Sequence, residues 1–418
     1  MTAASLTAVH PASLSFLGLS RQPTPGAAQL PGAYPGISGM ASTIPLDKSS
    51  YSPEDTPHWL LDTSIRGSMA QVFQLIQGPE DASFSYGGPF YGDIEGYFFD
   101  NTFGDLSTTG STPTNSTAII GTIPTAGITG TLTSIAGYGT SSTVQIGTGP
   151  ISEVVIISGI AGSVITFANT PTRFAHPGGT ASTVTGPYTH VFNILNSGSG
   201  QPPLLSATDY TGITAVTGAR TYSDLCTSQV DITGNTEQLL EMKMTGNSWQ
   251  SVPAAGTSAP ANLPSPAVPV AAWDTTITVG GSAMTQAGDW GFSIKRELQV
   301  YWVAQGTQSP FVIARGTLDA TANLNYTVAT DETGLLLMLQ NQQPPLVVTT
   351  TNGLSGTALI QLQITAAVAG YTSAKPNRGA VLTGYDDQIQ CVANSTNSGG
   401  SGGLGPITVS LTNNVPTY

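Results

Sequence analysis

Asp93 and Glu95 stand two residues apart in an acidic stretch, a spacing that invites acid–base chemistry in which one carboxyl donates a proton and the other accepts one. Between Glu80 and Asp105 the chain carries six acids and no base: Glu80, Asp81, Asp93, Glu95, Asp100 and Asp105. No histidine lies close by to complete a site, so the stretch reads as a solvated acidic face. The four histidines, His10, His58, His176 and His190, are scattered without metal-ligand spacing, and His176 in AHPGG reads as a turn residue. Cys226 and Cys391 lie far apart without a CxxC partner and read as two buried free thiols, able to pair only if folding brings their Cα atoms within about 7 Å. No GxSxG, phosphate-binding loop or GxGxxG context occurs. The expectation is a non-enzyme, with no cofactor and no metal, whose function lies in its surfaces and edges.

The elements that form those surfaces are strands. Charged residues make up 8% of the 418, against about 25% in ordinary globular proteins, while apolar content is normal, so the chain should fold. Its 49 glycines and 29 prolines, with abundant Thr, Ser and Val, point to many short strands and tight turns. A net charge of -13 argues against gripping nucleic acid through its phosphates, though not against letting DNA slide past. Residues 106–206 carry only Glu153 and Arg173. No run of 18 apolar residues exists, which predicts no membrane insertion, and the first residues lack the basic start and unbroken apolar core of an export signal.

Residues 1–57, rich in Pro, Gly, Ala and Ser, read as an extended arm, disordered or laid on a neighbour. Residues 58–106 and 207–418 read as one discontinuous β-domain, with a stiff proline-rich loop at 251–272; residues 107–206 read as an inserted small all-β domain, returning through the flexible linker 196–203. In the first part, Met69 to Ile76 is apolar on both sides, which predicts a strand buried on both faces and ended by Gly78 and Pro79. Two long strands have one apolar and one polar face. In one, Gln238, Leu240, Met242 and Met244 oppose Glu237, Leu239, Glu241, Lys243 and Thr245; in the other, Ile294, Arg296, Leu298, Val300 and Trp302 oppose Lys295, Glu297, Gln299 and Tyr301. Two further strands, from Phe311 and from Leu318, lead to a single helix over 332–340, capped by Asp331, with Leu335, Leu336 and Leu339 as its packing stripe. The tail SGGSGGLGPITVSLTNN reads as a flexible hinge and a last strand.

The ordered set TSIRGSMAQVFQLIQGPED, GDIEGYFFDNTFGDL, SQVDITGNTEQLLEMKMTGNSWQ, WDTTITVGG, SIKRELQVYWVAQGTQSPFVIARGTLDATANLNY and DETGLLLMLQNQQPP resembles the major tail tube proteins of long, non-contractile-tailed bacteriophages. The resemblance covers about residues 58–106 and 207–392. It implies a mainly β fold, a β-sandwich or partly closed barrel with one short flanking helix, in a virion protein made in the host cytoplasm. Six copies would form a ring, and stacked rings a tube that conducts the genome, with the tape-measure protein and DNA in its lumen without specific binding. The insert resembles the extra β-domains that decorate tails.

Glu237, Glu241, Lys243, Lys295, Glu297 and Gln299 are the candidate lumen-facing or inter-subunit residues, on strands long enough to join edge to edge. A second function class is a carbohydrate-binding surface protein, in which the neutral insert would present Tyr138 and Tyr188 to host-surface glycans.

Overall fold

Val, Ile and Thr runs punctuated by Gly and Pro fold as the composition demands, into 25 strands and two short helices among the described residues. The computed structural model describes residues 15–22, 24–27, 43–46, 50–64, 66–67, 69–110, 116–136, 138–140, 143–146, 153–167, 172, 174–184, 187–210, 219–254, 268–304, 306–327, 332–354, 359–378, 383–413, 415 and 418. Asp331, His10 and the middle of the proline-rich loop lie outside them.

In chain order, β1 (Phe16–Gln22) and β2 (Thr43–Pro45) precede a long hairpin, β3 (Glu54–Asp62) and β4 (Gln74–Pro89), which leads through α1 (Gly96–Phe103) into β5 (Gly104–Gly110). Six short strands follow: β6 (Ser116–Ile120), β7 (Thr129–Leu132), β8 (Thr143–Ile146), β9 (Glu153–Ala161), β10 (Val164–Phe167) and β11 (Ala181–Val184). Next come β12 (Tyr188–Ile194), β13 (Leu204–Tyr210), β14 (Ala219–Gly234), β15 (Glu241–Trp249), β16 (Val252–Pro253), β17 (Thr275–Val279) and β18 (Ser282–Ala283). A second long hairpin, β19 (Ala287–Tyr301) and β20 (Val312–Thr327), leads through α2 (Thr333–Leu339) to β21 (Leu346–Thr351), β22 (Gln361–Ala366), β23 (Ala369–Asn377), β24 (Gly384–Cys391) and β25 (Thr408–Asn413).

Two antiparallel sheets form a β-sandwich around one core. The long sheet has twelve strands, eight of them in the line β3-β4-β15-β14-β19-β20-β24-β23. The second runs β18-β17-β21-β22-β25-β12-β5. Met242, Ile294 and Ile389 of the first and Val348, Leu362 and Val409 of the second belong to the same buried cluster. The six short strands pair in a closed cycle, β10-β7-β6-β11-β8-β9, around a separate core that includes Ile119, Val144, Ile157 and Ile165. This barrel occupies 116–184, and both segments that carry it, β5 and β12, are strands of the second sheet.

Several expectations are corrected here. Phe16–Gln22 is not an arm lying outside the fold: β1 pairs with β13, and Leu17 and Leu19 are fully buried. Gly78 and Pro79 do not end a strand, because β4 runs through both. The two strands read after Phe311 are one, β20, and Trp302 lies past the end of β19, 39% exposed rather than in the core. The described residues hold two helices, not one. In α2 the residues packed against the core are Leu335, Leu337 and Met338, while Leu336 and Leu339 are exposed. Gly334 belongs there because a side chain would collide with the Asp387 carboxylate.

α1 is buried along its whole length, including Phe98, Phe99, Asn101 and Phe103. A helix buried all round has no solvent-facing side, so the sequence gives no amphipathic signal for it. The available sign was Gly104, whose left-handed backbone, φ 84°, closes the helix. The acids around it are not a solvated face: Asp81, Asp93, Glu95 and Asp100 are all buried, and Tyr418 packs over Gly96. The glycine-rich tail is not a hinge either, since Asn397 accepts from Ala367 N (2.9 Å) and donates to Thr365 O (3.1 Å), and Ser401 N donates to Asp105 (2.8 Å).

Candidate assembly and channel surfaces

Alternation along the inner strands of the long sheet puts apolar side chains into the core and leaves a polar outer face. Its cross-strand rows follow from register. One runs Gly87, Lys243, Asp231, Ser293, Thr321, Gln390; the next runs Ser85, Thr245, Gln229, Lys295, Asp319. Five of the six candidate residues, Glu241, Lys243, Lys295, Glu297 and Gln299, are exposed on this face, brought together because β15 and β19 flank β14. Glu237 is not among them: it sits in the turn Asn235–Gln238, where its N–H donates to Asn235 Oδ1 (3.0 Å). A second correction concerns edges. β15 over Glu241–Asn247 and β19 over Trp290–Lys295 pair on both sides and cannot join another copy there; the ends of the eight-strand line are β3 and β23.

The outer face of the second sheet differs in kind. Its central row is Thr276, Thr349, Gln363, Ser410, Val191, Ser107, with no charge. The lysines of the described residues therefore belong to the long sheet alone.

Both long hairpins outrun their neighbours. β3 pairs with β4 over residues 74–83, whereas β15 covers 81–89, so the tip extends past the sheet; β19 and β20 likewise pair only with each other beyond Arg296 and Leu318. The tips brace one another through Glu80 N to Gln308 O (2.9 Å), Gln308 Nε2 to Gly78 O (2.9 Å) and the His58 and Trp302 rings, 5.2 Å apart. The strand expected to be buried on both faces is apolar on both and exposed on both: Leu61 pairs with Leu75 and Leu60 with Ile76, each about half exposed. Trp59, Met69, Trp302, Val303 and Phe311 add to the same exposed set. So many exposed large apolar side chains on one structure mark an interaction surface.

Two arginines anchor the root of the second hairpin. Arg296, 4% exposed, donates to Thr102 O (2.5 Å) and Gly200 O (3.1 Å); Arg315, 6% exposed, donates to Asn101 O (2.9 Å), Pro203 O (3.1 Å) and Pro202 O. Burial, with the neighbouring Arg315 charge, brings the Arg296 guanidinium down to about 10, and burial also lowers Arg315. They cap the C-terminal carbonyls of α1, where cations are favoured, and pin the segment 200–203, which is therefore not a flexible linker. Sequence alternation put Arg296 on the core face but gave no partner for it.

Burial raises several carboxyls: Asp100 to about 6, Asp209 to about 6 and Asp387 to about 7, with Glu95 also well above the usual range. A raised folded value means that stability is fully present below the unfolded value near 4 and is lost as pH rises through the folded value. Buried His190 is lowered and works in the opposite direction below its ordinary value. The net expectation is a protein more stable at pH 5 than at pH 8, by a few kcal/mol in order of magnitude. Thermal melts across that range check it, and a higher midpoint at pH 8 would refute it.

No cluster of three metal-ligating side chains occurs among the described residues. His190 contacts Val415 O (2.7 Å) and Thr108 Oγ1 (3.0 Å), His58 contacts Asp81 (2.9 Å), and His176 is buried in the barrel. Cys226 and Cys391 are buried and free. The aromatics expected to meet glycans do not do so as exposed platforms, since Tyr138 and Tyr188 are both buried. No helix among the described residues is long and apolar enough to cross a membrane. In comparison with known proteins, residues 12–414 match the family model described as phage tail tube protein. No curated protein matches the chain.

Proposed function

Because the chain belongs to the phage tail tube protein family, a structural component of the virion tail, we propose that it builds the conduit for the genome by forming closed rings that stack. The observation that carries this reading is the pair of braced hairpins whose large apolar residues stay about half exposed in the subunit. Docking them on the next ring would remove that surface from water at about 25 cal/mol per Å² of apolar area. Eight antiparallel strands in line leave β23 running opposite to β3. Head-to-tail addition of the next copy at these edges would thus continue the antiparallel alternation, and heterologous contacts of this kind generate rings.

The strands that project as hairpins belong to the sheet with the charged outer face, so that face would line the lumen, while the neutral second sheet and its inserted barrel would face outward. Tape-measure protein and then DNA would pass without specific contacts, in a particle assembled in the host cytoplasm from subunits made there. Negative-stain microscopy of the purified chain tests this reading. Rings and tubes are expected, with top views reporting the symmetry, six copies on the resemblance. A strictly monomeric species at every salt and after seeding would overturn it.

A further inference from the structure

The described residues include three lysines, Lys243, Lys295 and Lys375, and the register places an aspartate directly across from each. Lys243 opposes Asp231, Lys295 opposes Asp319, and Lys375 opposes Asp386. Each aspartate is also held by a neighbouring amide: Gln229 Nε2 donates to Asp231 (2.8 and 2.7 Å), Gln390 Nε2 to Asp319 (2.7 Å) and Asn377 Nδ2 to Asp386 (3.3 and 3.2 Å). The same three-part arrangement thus occurs three times, on different strand pairs of one outer face. Glu241 and Glu297 share the face and have no basic register partner: Glu241 opposes Thr233 and Pro89, and Glu297 falls at the bulge opposite Gly316.

We infer that these aspartates mask the lysines against a polyanion, so that the face offers duplex DNA no cationic foothold; this rests on the tube reading above. Directly opposed residues have Cβ atoms about 5 Å apart, within reach of the flexible lysine stem. An opposed pair of charges acts on a distant phosphate as a dipole, and salt attenuates it within about 8 Å. An unmasked lysine instead gains from displacing the counterions of the phosphate it meets, and repeated around a ring such contacts would arrest a sliding duplex. The amide holds each carboxylate in place at the position across from its lysine. Cross-strand ion pairing for stability alone is the competing account, and it predicts no change in DNA affinity when the acid is neutralised.

The test uses the full chain with Asp231→Asn, Asp319→Asn and Asp386→Asn together, since asparagine keeps an acceptor oxygen for each amide. Binding to a short fluorescent DNA duplex is read by anisotropy at low and rising salt. The wild type is expected not to bind, and the triple variant to bind at least tenfold more tightly. Its affinity should fall with salt at a log–log slope of about -0.9 per phosphate contacted, up to three per copy. Adding Lys243→Gln, Lys295→Gln and Lys375→Gln should abolish the gain. If the triple variant is unstable, Asp319→Asn, at an exposed position, carries the test with a slope near -1. A folded variant that binds no better than wild type, or a wild type that already binds with such a slope, overturns the inference. Microscopy of the same samples separates the two ideas: wild-type tubes without a gain in the variant sink the masking alone, whereas absent tubes count against the tube reading and leave the binding comparison valid.

Discussion

The double variant Leu61→Asp with Ile76→Asp is expected to melt within a few degrees of the wild type and to form no rings or tubes. Leu61 lies on one face of the first hairpin tip and Ile76 on the other, and both are about half exposed in the subunit, so neither charge enters its core. In an assembled tube the same positions would be dry. Placing a charge at the centre of a desolvated apolar contact costs about 2 kcal/mol or more, some thirtyfold in a dissociation constant, and the penalty recurs at each copy. Sedimentation velocity together with negative-stain images gives the answer. Tubes of normal length from the double variant would show that the hairpin is not the stacking element; a large fall in melting temperature would show that the tip is part of the subunit's own core.

Arg315→Ala should have the largest effect on the subunit itself. The side chain donates to the carbonyls of Asn101, Pro202 and Pro203, and removing it takes this donor from all three beside a cavity, with Pro203 O alone keeping a second side-chain donor, Asn101 Nδ2 (2.6 Å). Hydrogen bonds from a charged donor contribute about 1.5–3 kcal/mol each, and losing one partner of a buried charged network costs about 3–5 kcal/mol. A loss of that order in urea-unfolding free energy is expected. Arg315→Met, which refills the volume but not the donors, should recover only a minor part. If methionine restored full stability, packing rather than hydrogen bonding would be the arginine's role, and a loss below about 1 kcal/mol with alanine would remove the clamp altogether.

The inner strands of the long sheet were legible because a strand half in water must alternate: Met242 and Met244 face in while Lys243 faces out, and Ile294 faces in while Lys295 faces out. Alternation also picked out five residues of the polar face. It failed where burial is one-sided in neither sense. The tip from Gln74 to Ile76 is apolar on both faces, a pattern that a buried central strand and an assembly hairpin share, so the pattern alone cannot tell the subunit core from a neighbour. α1, buried all round, has no period to read. Acids at 93, 95 and 100 looked solvated because charge is usually exposed; here the fold buries all three, and burial raises Glu95 and Asp100.

Composition and periodicity by themselves determined that the chain is β-rich, and the order of its elements carried the resemblance to tail tube proteins, since those features depend only on which residues neighbour one another along the chain. Which strands are edges, which lysine faces which aspartate, and what the two arginines hold were decided only by the tertiary structure. These depend on pairing between segments up to hundreds of residues apart, such as β1 with β13 and Arg315 with Asn101. A period of two fixes the side of a sheet on which a residue lies, but not the strand beside it, because a slip in pairing partner leaves the alternation of each strand unchanged.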